Sequence, residues 1–195
     1  MNKTNLKKLT GTALLAAIII VLQTVAGSIK IGPFTPTLSL IPIIVGALVY
    51  GPLSGAFLGA VFGVIVIIGV LSGNEPMSTM MFQTNPAATI FICLFKGVMA
   101  GLVPGLIYKI FKDKHDLLGT IVAAISSPVT NTGLFSIALF TIFLPVTQHF
   151  AEVLGFADAG KFVLVGIIGT NFLFELLLNM VLVPIIVRIV KFIKK

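Results

Sequence analysis

The sequence predicts an all-α membrane protein with six transmembrane helices and with both termini in the cytoplasm. The first reason is composition: 57% of the 195 residues are hydrophobic and only 10% are charged, whereas soluble proteins carry about 25% charged residues. The second reason is length, because several apolar stretches reach the roughly 20 residues that a helix needs to cross the hydrocarbon core. The third reason is that the basic residues collect at the two ends of the chain and in one central loop.

The distribution of positive charge predicts the orientation of the helices. Ten of the thirteen Lys and Arg residues fall into three clusters, which are Lys3, Lys7 and Lys8; Lys109, Lys112 and Lys114; and Arg188, Lys191, Lys194 and Lys195. Because Lys and Arg concentrate in cytoplasmic loops, we expect both termini and the central loop inside. The three loops that are expected outside carry only two basic residues, Lys30 and Lys161.

The six predicted spans follow the apolar runs and belong to a single domain that covers residues 1–195. Their approximate bounds are 9–26, 38–50, 53–71, 86–108, 117–145 and 162–190. The second run has only 13 residues, too few to cross alone unless the bilayer thins or the helix ends within protein. The polar stretches 72–85 and 149–161 are expected to be loops, and Pro86 suits the first turn of the fourth span.

Composition and motifs exclude several classes of function. The net charge of +7 lies beside the predicted spans, so the anionic inner leaflet explains it better than a nucleic acid does. Cys93 is the only cysteine, which excludes an intrachain disulfide and a cysteine metal cluster. The sequence has no phosphate-binding glycine loop and no pair of His residues at metal-ligand spacing. We therefore predict no metal, no cofactor and no catalytic site, and ATP-driven transport would need a partner that hydrolyses ATP.

Two charged residues are predicted at mid-membrane depth. Lys96 lies ten residues into the fourth span, about 15 Å below its outer end at 1.5 Å per residue. Glu175 lies at a comparable depth in the sixth span. Charges at this depth are costly and need a partner or a cavity. Two interpretations stay open: the two residues form a structural ion pair, or Lys96 is the counter-charge for an anionic ligand.

The fifth span also carries an unusual concentration of polar residues. Ser127, Thr130 and Asn131 cluster around Pro128, and Asn171 and Asn179 add amides on the sixth span. A single Ser or Thr in such a helix usually bonds its own backbone. A whole turn of polar residues beside an Asn is harder to explain in this way, which favours a ligand-binding face.

Small residues recur at four-residue spacing on three spans, where they allow helices to approach closely in lipid. Ala13 and Ala17 form such a pair on the first span, for which an internal helix contact is the default interpretation. Two glycine ladders, for which internal packing is also expected, are Gly51, Gly55, Gly59 and Gly63, and Gly97, Gly101 and Gly105.

The chain as a whole resembles the substrate-binding (S) components of energy-coupling factor (ECF) vitamin transporters. The similarity rests on six spans, a small-residue first span, a short second span, the stretch 37–48 followed by Tyr50-Gly51-Pro52, and a polar stretch before the fourth span. The resemblance implies a vitamin-binding subunit of an ATP-driven importer in the cell membrane. It also implies a transmembrane scaffold subunit on which Ala13 and Ala17 dock, together with two ATPase subunits.

Within that family the chain looks most like the pantothenate-type members. The similarity lies in the Asn85-Pro86 start of the fourth span, in Lys96, and in the polar turn 126–132. The ligand-binding residues that this implies are Asn85, Lys96, Ser127, Thr130, Asn131 and Asn171. Folate, riboflavin or a pyridoxine-type vitamin remains the alternative ligand. A self-sufficient secondary transporter or channel remains the alternative class, although the two halves of the chain do not match as inverted repeats do.

Overall fold

The computed structural model describes residues 3–26 and 37–193, and the side chains of residues 170 and 171 are not part of that description. In these ranges the protein is helical and contains no strand. The helices are α1 (Lys3–Ala26), α2 (Leu40–Tyr50), α3 (Pro52–Leu71), α4 (Pro76–Thr84), α5 (Pro86–Phe111), α6 (Asp116–Thr141), α7 (Leu144–Val153), α8 (Ala159–Lys161) and α9 (Leu173–Ile193). An 11-residue π-helix, Phe162–Phe172, joins α8 to α9.

Five segments are long and apolar enough to cross a membrane, and they are Asn5–Val25, Pro52–Leu71, Pro86–Phe111, Asp116–Thr141 and Ala159–Phe192. Large apolar side chains cover their outer faces, for example Leu14, Phe57 and Ile110. Such a surface suits contact with lipid tails rather than water. The all-α membrane fold that the sequence predicts is therefore confirmed.

The sixth apolar helix, α2, is shorter because it lies inside the protein. Eight of its 11 residues are buried, and it packs against α1, α3, α5, α6 and α9. Its side chains form the centre of the larger apolar cluster, together with residues such as Leu58 and Val183. A helix that is enclosed by other helices need not match the thickness of the bilayer.

The structure differs from the expectations at two predicted loops and at the end of one predicted span. The polar stretch 72–85 contains a helix, α4, whose first turn carries Pro76, a residue that favours helix starts. The fifth span ends at Thr141 rather than at 145, and Pro145 instead lies in the first turn of the separate helix α7. This helix occupies part of the second predicted loop. α4 and α7 cover a second apolar cluster, which includes Met81, Phe143 and Phe162.

The glycine ladders pack α3 directly against α5, as predicted. A methyl group on Gly55 would collide with the carbonyl oxygen of Gly101, and one on Gly59 would collide with that of Gly97. Only glycine therefore permits the two backbones to approach this closely. Gly51 is the exception in the series, because it has a φ of 100° and no neighbour within 4 Å. It forms the turn between α2 and α3, where a left-handed conformation favours glycine.

Candidate ligand-binding site

One contact among three helices provides a common reference level for comparing the depths of residues in the bundle. This contact lies at the end of the bundle where most of the basic residues are found. There the Lys191 ammonium of α9 donates to the Tyr108 hydroxyl of α5 and to the Asp116 carboxylate at the start of α6. Tyr108 also donates to Asp116. We call these three residues the clasp. Because the clasp brings α5, α6 and α9 to a common level, residues on the three helices can be compared by their rise above it.

Four polar residues lie at a similar height above the clasp. At 1.5 Å per residue, Lys96 and Asn179 lie about 18 Å above it, Asn131 about 22 Å, and Glu175 about 24 Å. Three different helices therefore bring polar side chains to one level of the membrane. The segment just before α2 reaches this level as well, because the Thr37 amide donates to Oε1 of Glu175 at 2.8 Å.

The register between α5 and α6 places Lys96 beside Asn131. The Ser127 hydroxyl donates to the carbonyl oxygen of Ala100 at 2.7 Å, which fixes the register. Lys96 lies one turn beyond Ala100, and Asn131 lies one turn beyond Ser127. Because helix side chains lean toward the N-terminus of their own helix, Lys96 reaches one turn further along α6, and its Nζ lies 4.3 Å from the centre of the Phe135 ring.

Lys96 and Glu175 take separate partners in the structure. The Lys96 ammonium lies over Phe135, an attractive cation–π contact, whereas Glu175 accepts from the Thr37 amide. Within the described ranges no ion pair joins the two residues. Of the two interpretations that the sequence left open, the geometry favours an ammonium available to an anionic ligand.

The Asn131 side chain is buried and has an unused hydrogen-bond acceptor, as expected of a ligand-binding amide. Its side chain is only 5% exposed, and its Oδ1 has no hydrogen-bond partner among the described residues. The Oδ1 of Asn179 is in the same situation, although its Nδ2 donates to the Glu175 carbonyl at 2.7 Å. Buried polar atoms in folded proteins are nearly always paired. Two carbonyl-type oxygens without a partner in the described chain therefore favour a ligand with hydrogen-bond donors.

A further buried polar group, which was not predicted from the sequence, is the Ser136 hydroxyl. It is buried and has no partner in the part of the chain that the structure describes. Ser136 lies five residues beyond Asn131 on α6, about 7.5 Å further from the clasp at 1.5 Å per residue. The available signal was its place one turn after Thr132 on the polar helix, but a lone Ser in an apolar run usually bonds its own backbone.

Three predicted ligand residues make contacts within the protein, and their role toward a ligand stays a prediction. Asn85 is exposed and caps α5 by accepting from the Ala88 amide at 3.1 Å, a frequent role for Asn at a helix start. Ser127 clamps α5, as described above, and Thr130 donates to the carbonyl of Ser126 at 2.7 Å. Asn171 is among the residues whose side chains lie outside the description.

The π-helix ends immediately above this polar level. It covers Phe162–Phe172, and α9 then begins at Leu173, two residues before Glu175. π-Helical turns are rare and occur frequently at functional sites, because the extra residue per turn shifts side chains around the helix. This transition sets the orientation in which Glu175 and Asn179 enter the bundle.

The geometry thus describes a bundle of helices long and apolar enough to cross a membrane, in which the half-buried Lys96 lies at the level of buried amide oxygens that have no partner among the described residues. The chain belongs to the family described as ECF transporter, substrate-specific component, whose model matches residues 7–187. It is 29% identical over 198 residues to the pantothenic acid transporter PanT of Lactococcus lactis subsp. cremoris (strain MG1363), which covers 96% of this chain and 95% of PanT.

The fold is similar to a solved structure of ThiT from Listeria monocytogenes. The TM-score is 0.64 at 17% sequence identity, and the match covers 95% of this chain and 96% of that chain. The family membership that the sequence predicts is therefore confirmed. Proteins of this family are components of transporters rather than enzymes.

Proposed function

We propose that the chain is the vitamin-binding subunit of an ATP-driven ECF importer and that its ligand is pantothenate. The observation that carries the ligand assignment is the combination, at one level of the bundle, of the Lys96 ammonium with amide oxygens of Asn131 and Asn179 that have no hydrogen-bond partner among the described residues. The similarity to PanT over nearly the whole chain supports the same ligand.

The chemistry of pantothenate matches this combination. Pantothenate has one carboxylate, which suits an ammonium in a low-dielectric setting. It also has two hydroxyls and one amide N–H, which are donors for acceptors such as the amide oxygens of Asn131 and Asn179. Riboflavin or folate would favour broad aromatic platforms, and the sequence contains no Trp and two Tyr.

Transport requires partners under this proposal, namely a transmembrane scaffold subunit and two ATPase subunits. Ala13 and Ala17 are exposed on α1, and Ala16 between them is half-buried. A small-residue patch on an exposed helix face supports the proposed docking on the scaffold, because another helix can approach it closely. Most of α1 is also exposed, because only 11% of its most apolar 18-residue stretch is buried inside the protein.

Reconstitution into liposomes tests the proposal. The chain alone is expected to bind pantothenate without accumulating it, and the complete complex is expected to accumulate it only when ATP is supplied on the side of the ATPase subunits. Accumulation against a gradient by the chain alone would instead show a self-sufficient secondary transporter.

A further inference from the structure

The clasp brings together two basic segments that are far apart in sequence. Asp116 and Lys191 are 75 residues apart, yet their contact holds the end of α9 against the turn between α5 and α6. Tyr108 contributes from α5 and is itself buried, with its ring 4.9 Å from the Lys191 ammonium. The end of the last helix and the α5–α6 turn therefore form one surface.

Four exposed basic side chains lie close in sequence to the residues of the clasp. Arg188 lies three residues before Lys191 on α9, and positions three apart are neighbours on a helix surface. The other three, on the α5–α6 side, are Lys109, Lys112 and Lys114. In the described part of the chain, none of the four makes an ion pair. The acidic groups nearby are Asp113, which is exposed in the same turn, and Asp116, which Lys191 engages.

This surface lies where apolar helices end. The segments Pro86–Phe111 and Asp116–Thr141 are long enough to span a membrane, and both have their ends at the clasp. Exposed apolar residues such as Ile110 and Leu117 lie next to the basic side chains. Basic groups directly beside an apolar belt lie at the depth of lipid headgroups, and Arg binds a phosphate through two parallel hydrogen bonds.

We propose that Arg188 and Lys112, with Lys109 and Lys114 beside them, form a binding site for the headgroup of an anionic phospholipid. In this site the clasp holds the α9 half against the α5–α6 half. The site is independent of the vitamin, so its test requires neither the vitamin nor the partner subunits.

Substitutions in the clasp distinguish an organised lipid site from a surface that attracts anionic lipid only through its positive charge. Asp116→Asn removes a negative charge, so attraction by diffuse charge would make anionic lipid bind more tightly. If the clasp organises the site, the same substitution releases α9 and binding weakens. Tyr108→Phe removes a clasp hydrogen bond at constant net charge and is expected to weaken binding in the same direction.

The experiment titrates the purified protein, in a neutral detergent, with short-chain phosphatidylglycerol, with phosphatidylcholine of equal chain length, and with inorganic phosphate. The wild type is expected to bind phosphatidylglycerol in preference to both. Arg188→Gln with Lys112→Gln is expected to lose roughly 25-fold in affinity, at about fivefold per charge. The matched control is Lys7→Gln with Lys8→Gln, which removes two exposed charges from α1 and is expected to change affinity less than threefold.

Three results would overturn the proposal. The first is equal loss in the two double variants, which would reduce the site to diffuse charge. The second is unchanged or tighter binding by both Asp116→Asn and Tyr108→Phe, with their helical circular dichroism intact. If Asp116→Asn does not fold, Tyr108→Phe alone decides the outcome. Equal binding of inorganic phosphate and phosphatidylglycerol would also contradict a lipid site.

Discussion

The Lys96 ammonium lies 4.3 Å from the centre of the Phe135 ring, at the level where α5, α6 and α9 present their buried polar groups. The ring attracts the cation but supplies no neutralising charge. Lys96 therefore keeps its full attraction for an anionic ligand, which is the basis for assigning the ligand's carboxylate to this position.

We predict that Lys96→Met discriminates between charged and neutral forms of the ligand. Pantothenate affinity is expected to fall roughly tenfold to a hundredfold, since a hydrogen bond to a charged group contributes about 1.5–3 kcal/mol. Panthenol, in which an alcohol replaces the carboxylate, is expected to bind the variant and the wild type equally. Calorimetric titration measures both, and Lys161→Met, which removes an exposed charge, is the control. Equal losses for the two ligands would contradict the carboxylate assignment.

Asn131 and Ser127 lie one turn apart on α6 but are expected to respond differently to substitution. Asn131→Leu removes an amide oxygen that has no partner in the described chain, so ligand affinity falls about tenfold or more while the melting temperature of the ligand-free protein holds. Ser127→Ala removes the buried bond to Ala100, so the melting temperature falls and affinity holds. Thermal unfolding with and without pantothenate separates the two effects, and the reverse pattern would show that Ser127 is the ligand residue.

The α3–α5 interface is expected to have no room for one additional methyl group. Gly59→Ala would drive a Cβ into the Gly97 carbonyl. We therefore expect the free energy of unfolding to fall by about 1–3 kcal/mol, or the variant not to fold. Gly69→Ala on the same helix meets no atom within 4 Å and is expected to be neutral or to stabilise by up to about 1 kcal/mol, because Ala is the better helix former. Thermal unfolding of the two variants in one detergent is the measurement. Similar stabilities would show that the helices are not in close contact.

The proposed docking patch predicts a loss of assembly without a loss of binding. Ala13→Trp with Ala17→Trp adds bulk to an exposed helix face, so co-purification with the scaffold and ATPase subunits should fail while pantothenate still binds. Leu14→Trp is the control, because Leu14 is 63% exposed and lies outside the small-residue pair. Assembly of the double variant at wild-type yield would reject the patch as the docking surface.

The fold could be predicted from sequence because its signals are repetitive. Apolar runs, basic clusters and four-residue glycine spacing each extend over many residues, and the glycine contacts between α3 and α5 match the expected internal packing. The short helices α4 and α7 were missed because each lies within a polar or interrupted segment and carries a proline in its first turn. The π-helix was missed because it depends on how the last span packs rather than on a local pattern.

The candidate site was only partly predictable because sequence cannot show which polar side chains are already satisfied. Lys96 and Asn131 were predicted from their depth and their polar neighbours, and both belong to the site proposed here. Thr130 and Asn85 share those signals, but their side chains bond to nearby backbone groups. Ser136 was not predicted, because only the packing of the surrounding helices leaves its hydroxyl buried and without a partner among the described residues.

Equilibrium binding of pantothenate to the purified chain, without partner subunits or ATP, tests the central claim most directly. Calorimetric titration is expected to show one saturable site for pantothenate, with weaker or no binding of folate, riboflavin and pyridoxine under the same conditions. Tight binding of one of those vitamins, with none of pantothenate, would contradict the assignment of the Lys96 level to a small anionic vitamin.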